Sequence, residues 1–193
     1  MVTEPAVTDL LSRAWEIAAA VPDPELPAVT VADLGILREI TLDHDRVIVS
    51  LTPTYSGCPA LHEMQREVAS RLAAAGLEAE VRAVLSPPWS TDLITADGRR
   101  KLAEAGIAPP RSLSASPGGH GAPRGHPGPH WPASPRGTAG PVPLTLFAAG
   151  PPVACPRCGS DDTERTAAFG STACKDLRRC RACGEPFEHV KEI

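Results

Sequence analysis

Two cysteine pairs near the C-terminus have the residue types and spacing of a tetrahedral metal site. Cys155 and Cys158 belong to one Cys-x-x-Cys-Gly string, Cys180 and Cys183 belong to a second, and 21 residues lie between the strings. Each string can bend so that both sulfurs face one ion, and its glycine permits the positive φ that such a tight turn often needs. The spacing predicts a four-cysteine site for structural zinc, while iron in a rubredoxin-like cage would use the same ligands.

The segment around these cysteines is too small to fold by hydrophobic burial alone. Zinc bound by four thiolates contributes about 10–16 kcal/mol in small finger peptides, which offsets a missing core. We therefore predict a zinc ribbon over residues 153–193. Two disulfides in a secreted domain are the alternative, but the sequence begins Met1-Val-Thr-Glu, without the basic and apolar stretches of a secretory signal, which favours a cytoplasmic protein. The large apolar side chains of the segment are chiefly Phe169, Leu177, Phe187, Val190 and Ile193.

Two further residues of the same segment carry atoms that can bind metal. Cys174 is a fifth cysteine, six residues before Cys180. It could replace a knuckle ligand, pack as a small hydrophobic residue, or serve as a free transfer thiol. A packed or free thiol is favoured, because two intact knuckles already complete a tetrahedron. The same reasoning disfavours His189 as a ligand.

Cys58 is the residue of the first half that is best placed for reactivity. Its neighbours, Thr52-Pro-Thr-Tyr-Ser-Gly-Cys-Pro-Ala60, mark the point where a strand ends and a helix begins. Pro59 suits the first helical position, which leaves Cys58 as the N-cap residue. Its sulfur would then face unpaired backbone N–H groups and the positive end of the helix dipole, so we expect a thiol pKa below about 8.5. A reactive or metal-binding thiol and an inert buried cysteine both fit this position.

Asp23 and Glu25 lie on a proline-rich loop, Val21-Pro-Asp-Pro-Glu-Leu-Pro27. Its three prolines exclude a helix and hold the two carboxylates on an extended stretch. The simplest interpretation is a rigid connector, and the sharper hypothesis is that both carboxylates join Cys58 in one site.

Hydrophobic periodicity predicts a small α/β domain over residues 1–108. An amphipathic helix over residues 8–20 places Leu11, Trp15 and Ala18 on one face, with Trp15 in the core. Residues 36–40 and 47–51 flank Asp43-His-Asp45 as a hairpin. A second helix is expected over residues 59–75 and a strand over residues 80–85.

Composition separates this domain from the ribbon. Residues 109–152 contain 12 Pro, 8 Gly and no acidic residue, which predicts a linker. Residues 1–108 carry 9 basic and 16 acidic side chains, a balance of 9 − 16 = −7 that would repel nucleic acid. No run approaches the roughly 18 apolar residues of a membrane span.

A cluster of basic side chains beside the second cysteine pair favours the opposite hypothesis, a ribbon that binds nucleic acid. Most such runs form a solvated face, and a contact surface for an acidic partner is a further interpretation. The overall acidity and the single tyrosine disfavour binding to nucleic acid. The cluster consists of Lys175, Arg178, Arg179 and Arg181.

Several strings of the first half resemble the MIP18 (DUF59) family, whose members are linked to iron–sulfur cluster assembly. Further strings narrow the resemblance to the D-subunit family of phenylacetyl-CoA epoxidases, and together they cover residues 8–110 and 153–193. The first group is Asp23-Pro-Glu-Leu-Pro27, Val31-Ala-Asp-Leu-Gly-Ile36 and Thr52-Pro-Thr-Tyr-Ser-Gly-Cys-Pro59. The second group is Ser86-Pro-Pro-Trp-Ser-Thr-Asp92, Gly106-Ile-Ala-Pro-Pro110 and Phe169-Gly-Ser-Thr-Ala-Cys-Lys175.

The resemblance implies a non-catalytic accessory role in aerobic phenylacetate breakdown, in a complex whose other subunits carry the diiron site and the flavin and iron–sulfur reductase. It further implies that Cys58, with Asp23 and Glu25, handles iron or an iron–sulfur cluster destined for the oxygenase or its reductase, while zinc is structural. The expected partners are the other epoxidase subunits and iron–sulfur assembly proteins, with neither nucleic acid nor membrane. The chain has no helix pair with the diiron ligand pattern and no glycine-rich dinucleotide fingerprint. The alternatives are a rubredoxin-like electron carrier feeding an oxygenase and, less strongly, a nucleic-acid-binding ribbon.

Overall fold

The fold places helices against a three-stranded sheet in the first half of the chain and a four-stranded sheet around the C-terminal cysteines. The computed structural model describes residues 4–55, 57–111 and 152–192, so most of the predicted linker lies outside the described residues. The elements, in chain order, are α1 (Glu4–Ala19), β1 (Leu37–Asp43), β2 (Arg46–Leu51), α2 (Ala60–Ala74), β3 (Ala79–Ala83), α3 (Ala96–Glu104), β4 (Ile107–Ala108), β5 (Thr163–Ala167), β6 (Lys175–Cys180) and β7 (Pro186–Val190).

The first sheet has the order β1-β2-β3. β1 and β2 form the antiparallel hairpin expected from the sequence, and β2 pairs in parallel with β3. A parallel pair needs a long crossover, and α2 supplies it. The central strand β2 is apolar at nearly every position, because it has a partner on both sides, and Val47, Val49 and Leu51 are fully buried.

α1 packs on this sheet through small side chains, which corrects the expectation that Trp15 is a core residue. Ala14 and Ala18 are fully buried, whereas Trp15 is 42% exposed. Successive helical residues are about 100° apart, so the position after Ala14 turns away from the buried stripe. The apolar face therefore runs through Leu10, Ala14 and Ala18, and the two alanines let the helix approach closely.

The second sheet joins the two ends of the chain. Its order is β4-β7-β6-β5, and β4, which follows α3 directly, pairs in parallel with β7 of the ribbon. Val190 of β7 also belongs to the main hydrophobic core of the first half. Phe187 packs in a smaller core with Val153 and the buried cysteines Cys155 and Cys180. The ribbon is thus held against the first half by strand pairing and by a shared core.

Residues from the strings that resemble the MIP18 family brace the loops beside the first sheet. The indole Nε1 of Trp89 donates a 2.8 Å hydrogen bond to the carbonyl oxygen of Leu34. Gly35 has a φ of +66°, and a Cβ there would overlap the carbonyl oxygen of Leu93. The ammonium group of Lys101 lies 2.9 Å from Oδ2 of Asp33.

No helix in the described part of the chain is both long and apolar enough to cross a membrane. The division of the chain into residues 1–108, 109–152 and 153–193 stays a prediction. The pairing of Ile107–Ala108 with β7 means that the last strand before the linker lies in the ribbon sheet.

Candidate functional sites in the ribbon and at its contact with the first half

The four knuckle cysteines converge at one point of the ribbon. Their sulfurs all lie within 4.8 Å of one another, with Cys155 Sγ 3.8 Å from Cys183 Sγ and Cys158 Sγ 3.6 Å from Cys180 Sγ. Four thiolates at about 2.3 Å from one tetrahedral ion would stand about 3.8 Å apart. The arrangement therefore fits a zinc centre with four cysteine ligands, without rearrangement.

The backbone of each knuckle has the form that its glycine permits. Gly159 and Gly184 have φ values of +73° and +79°, as predicted from the sequence. The N–H of each donates to the carbonyl of the first cysteine of its knuckle, at 2.8 Å for Gly159 and 2.9 Å for Gly184. In the second knuckle, backbone N–H groups that point at Cys180 lower the pKa of its thiol to about 7. A lower pKa favours the thiolate form that binds metal.

His189 lies apart from this centre, in agreement with the expectation that it is not a ligand. Its side chain is buried, its Nδ1 is 3.2 Å from Oδ1 of Asp176, and burial lowers its pKa. Two members of the basic cluster are also neutralised within the ribbon, since Arg178 pairs with Asp176 and Arg181 pairs with Glu164. This pairing weakens the case for a nucleic-acid-binding face.

Cys58 stands at the start of α2, but its chemistry differs from the sequence expectation. Pro59 already has helical angles, φ −67° and ψ −29°, and the backbone N–H groups of Ala60 and Leu61 point at the Cys58 thiol as an N-cap position predicts. Burial nevertheless raises the thiol pKa above its ordinary value, and the nearby carboxylates of Glu25 and Asp23 raise it further. The predicted depression of the pKa is therefore wrong, because desolvation of a thiolate outweighs the helix terminus.

The proline-rich loop brings Asp23 into the same region. Oδ1 of Asp23 accepts hydrogen bonds from the backbone N–H groups of Glu25 at 2.7 Å and Leu26 at 2.9 Å. These bonds hold the carboxylate in place and explain why a short polar side chain stands in a buried turn. Burial raises the pKa of Asp23, although both hydrogen bonds and the positive charge of Lys175 oppose that shift.

Cys174 is the site residue that the sequence left ambiguous. It lies just before β6, in the ribbon, and its sulfur is 3.8 Å from Oε2 of Glu25 in the first half. Burial and the charge of Glu25 raise the pKa of its thiol. The available signal was its place outside both knuckles, in the Phe169–Lys175 string, which showed that the tetrahedron did not need it.

These groups line one nearly closed cavity of about 20 Å³ between the ribbon and the first half. Asp23, Glu25 and Cys58 meet there as hypothesised, and Cys174 joins them. Among the described residues, however, only the four knuckle cysteines form a set of three or more such ligand atoms that all lie within 4.8 Å of one another. The other residues that line the cavity are Leu26, Leu34, Ile36, Thr54, Met64, Trp89, Ile94 and Val190.

A surface groove adjoins this cavity. The groove has a volume of about 310 Å³, and Thr54 and Trp89 line both spaces. Tyr55, Leu85 and Pro88 line the groove alone, and Leu85 is 64% exposed. The groove therefore gives access from the surface to the wall of the cavity that carries Thr54 and Trp89.

Comparison with protein-family models gives two matches. Residues 16–85, which include Asp23, Glu25 and Cys58, match the family described as iron-sulfur cluster assembly protein. Residues 139–191, which include all four knuckle cysteines and Cys174, match the PaaD zinc beta ribbon domain. The two halves of the cavity thus come from two separately recognised families.

Whole proteins give a consistent result. The chain is 36% identical over 180 residues to an Escherichia coli (strain K12) protein, the D-subunit of a "Putative 1,2-phenylacetyl-CoA epoxidase", and the match covers 93% of this chain and 91% of that protein. A DUF59 domain from Bacillus anthracis, of known crystal structure, is 26% identical, with 52% of this chain and 97% of that one covered and a TM-score of 0.48. A Mycobacterium tuberculosis protein described as associated with Fe-S complex assembly and repair is 32% identical, with 55% and 94% covered and a TM-score of 0.32. The chain therefore belongs to the D-subunit family of 1,2-phenylacetyl-CoA epoxidases.

Proposed function

We propose that this chain is a non-catalytic accessory subunit of a phenylacetyl-CoA epoxidase complex, and that it acts in the cytoplasm to assemble iron or iron–sulfur centres of the oxygenase or its reductase. The observation that carries this proposal is the convergence of Cys58, Asp23 and Glu25 on one nearly closed cavity. A thiol and two carboxylates are ligands that iron accepts. Family membership and the iron–sulfur assembly match over residues 16–85 support the same conclusion.

In this proposal the zinc centre has a structural role. Cys155, Cys158, Cys180 and Cys183 would hold one zinc ion, and the ion when bound supplies the cross-link that fixes the ribbon fold. Four protein ligands leave no open position for a substrate, which is typical of structural zinc sites. The ribbon in turn presents β7 and the residues before β6 to the first half.

The cavity has features of a site that binds its cargo for a limited time. The thiols of Cys58 and Cys174 both have raised pKa values because of burial, so the protonated forms are favoured when no metal is bound. A metal must displace these protons, which makes its affinity dependent on pH. The proposed partners are therefore a donor that supplies iron or a cluster and an epoxidase subunit that receives it.

The test is co-expression of this chain with the other epoxidase subunits, followed by measurement of iron, acid-labile sulfide and epoxidase activity in the purified oxygenase and reductase. We expect Cys58→Ala to lower the metal content and activity of the client subunit while the zinc content of this chain is unchanged. His62→Ala is the matched control, because His62 is an exposed residue near the start of the same helix.

Full client activity with Cys58→Ala would contradict the proposal. Iron in the knuckle site with reversible one-electron reduction would instead support the rubredoxin-like electron carrier. That second function draws on the partial exposure of the centre, since Cys158 and Cys183 are exposed whereas Cys155 and Cys180 are buried.

A further inference from the structure

The cavity site is incomplete without the ribbon. Cys174 lies in a turn that is braced from two sides, because the backbone N–H of Lys191 donates to its carbonyl at 2.9 Å and Nζ of Lys191 donates to the carbonyl of Ala173 at 2.8 Å. The N–H of Lys175 also donates to the carbonyl of Thr172 at 3.2 Å. The thiol that faces Glu25 is therefore positioned by its own backbone and by the shared core and sheet that dock the ribbon.

The distance between Cys174 and Glu25 suits a shared metal ion. A sulfur at about 2.3 Å and a carboxylate oxygen at about 2.1 Å from one tetrahedral ion would stand about 3.6 Å apart. The observed separation of Cys174 Sγ and Glu25 Oε2 is 3.8 Å. The same separation is long for a strong hydrogen bond to a carboxylate, so a thiol proton alone gives this pair little stabilisation.

Cys58 faces the same space as this pair. Burial raises the pKa of Tyr55, and the charges of Cys58, Glu25 and Cys174 raise it further, so all three groups act on the Tyr55 hydroxyl. Asp23 contributes an oxygen as well, because the bonds from the backbone N–H groups of Glu25 and Leu26 are both made to Oδ1. Oδ2 has no hydrogen bond to the described residues.

The charge around the cavity favours a cation. With both thiols deprotonated, the two thiolates and the two carboxylates would carry four negative charges. The nearest buried cation is Lys175, which is 3% exposed and whose Nζ already lies 2.7 Å from Oε2 of Glu188. A divalent ion would compensate the remaining charge in a space that excludes most water.

The volume of the cavity limits what the ion can bring with it. A single water molecule needs about 10–15 Å³ measured in the same way. The cavity measures about 20 Å³, so it accommodates one atom-sized guest. A [2Fe–2S] cluster has four heavy atoms and needs several times that volume, roughly 40–60 Å³ by the same measure.

We propose that Cys174 of the ribbon is the second sulfur ligand of the cavity, and that with Cys58 and Glu25 it binds a single divalent metal ion of the iron(II) class rather than a preformed cluster. This inference rests on the proposed function and specifies its cargo and its ligands. Binding replaces the thiol protons of both cysteines, which leave to solvent, and no electron is transferred. Mixed sulfur and oxygen donors suit iron(II), cobalt(II) and zinc alike, so availability selects among them.

The experiment uses the full chain with zinc already in the ribbon, purified without oxygen and titrated with Fe²⁺ or, as an optical probe, Co²⁺. Wild type should bind one further ion with thiolate-to-cobalt charge-transfer absorption. Cys58→Ser and Cys174→Ser should each weaken this ion by on the order of 100-fold, and Glu25→Gln by about 10-fold or more. Glu16→Gln is the control, because Glu16 is an exposed carboxylate on α1.

Two measurements keep the outcome interpretable. Zinc content of one per chain in Cys174→Ser shows that the ribbon is folded, and X-ray absorption at the iron edge of wild type counts two sulfur neighbours without any substitution. Wild-type affinity in Cys174→Ser, one sulfur neighbour, or sulfide in equal amount to iron would overturn this inference. If Cys58→Ala still abolishes client maturation in those cases, the proposed function survives, whereas loss of both dependences removes both.

Discussion

The sulfur of Cys174 lies 3.8 Å from Oε2 of Glu25, although 149 positions separate the two residues along the chain. One belongs to a zinc ribbon and the other to a proline-rich loop of an iron–sulfur assembly domain. The contact turns two separately recognised modules into the two walls of one cavity. Ribbon docking and site formation are therefore the same structural event in this family member.

Asp23 should behave as a residue that lowers the stability of the fold at neutral pH. Its folded pKa is raised by burial, so the favourable contribution of the protonated form is complete below the unfolded value of 3.8 and is lost as pH rises through the folded pKa. We expect Asp23→Asn, which keeps an oxygen for the N–H groups of Glu25 and Leu26, to match or exceed wild-type stability at pH 7. Denaturant unfolding at pH 7 and at pH 3.5 measures the difference, which should shrink at the lower pH.

Asp23→Ala separates the two roles of this side chain. It removes the hydrogen bonds to both backbone N–H groups and should cost about 1–3 kcal/mol of unfolding free energy. A large loss of stability in Asp23→Asn at pH 7 would mean that the charge itself stabilises the turn.

The two cavity thiols should be slow nucleophiles at neutral pH. Burial raises the pKa of both Cys58 and Cys174 above 9.0, and Glu25 adds to both shifts. Alkylation by iodoacetamide, followed by peptide mass spectrometry on zinc-loaded protein, should therefore accelerate with pH beyond about 9. Glu25→Gln removes a negative charge and should speed both reactions at pH 8, while Glu16→Gln leaves them unchanged. A rate that reaches its plateau near pH 7 would show that the thiolates form more easily than this.

Removal of zinc should unfold the ribbon selectively. Zinc binding is worth about 10–16 kcal/mol in small ribbons and fingers, which is comparable to the whole stability of a small domain. The buried core of the first half contains only Val190 from the ribbon, so residues 7–102 should keep their fold. Hydrogen exchange after Cys158→Ala or chelation should show lost protection over residues 153–192 and in β4.

Two observations accompany that experiment. Acidification should release the zinc as the thiolates are protonated, and a colorimetric chelator should count one ion per chain. Cys174→Ser should keep its zinc, because its sulfur is not one of the four that converge. Protection of the ribbon that survives zinc loss would show that docking on the first half is sufficient.

Gly35 and Gly76 form a matched pair for testing the loop that supports Trp89. Both have positive φ values, +66° and +78°, but a Cβ on Gly35 would overlap the Leu93 backbone whereas a Cβ on Gly76 meets nothing within 4 Å. Gly76→Ala should cost about 1–2 kcal/mol for the left-handed backbone alone. Gly35→Ala should cost about 1–3 kcal/mol more, because overpacking adds to the same strain. Equal unfolding free energies for the two variants would show that the Leu93 segment moves freely.

Local patterns were sufficient for the elements that depend on neighbours in sequence. The hairpin of β1 and β2, the helix after Pro59 and the positive φ of both knuckle glycines follow from short-range rules, and the structure confirms each of them. Helical periodicity placed the stripe on α1 but put Trp15 in the core, because period alone does not say how closely a helix approaches its sheet. That distance is set by Ala14 and Ala18.

The four-cysteine centre was determined by sequence alone, because four ligands in two short loops meet by local bending and metal binding. The cavity was decided by tertiary structure. Cys174 reaches Glu25 only because β4 pairs with β7 and Val190 enters the core of the first half, and no spacing in the chain encodes those contacts. The pKa of Cys58 likewise depended on burial, since desolvation is set by what packs around a thiol rather than by its position at a helix terminus.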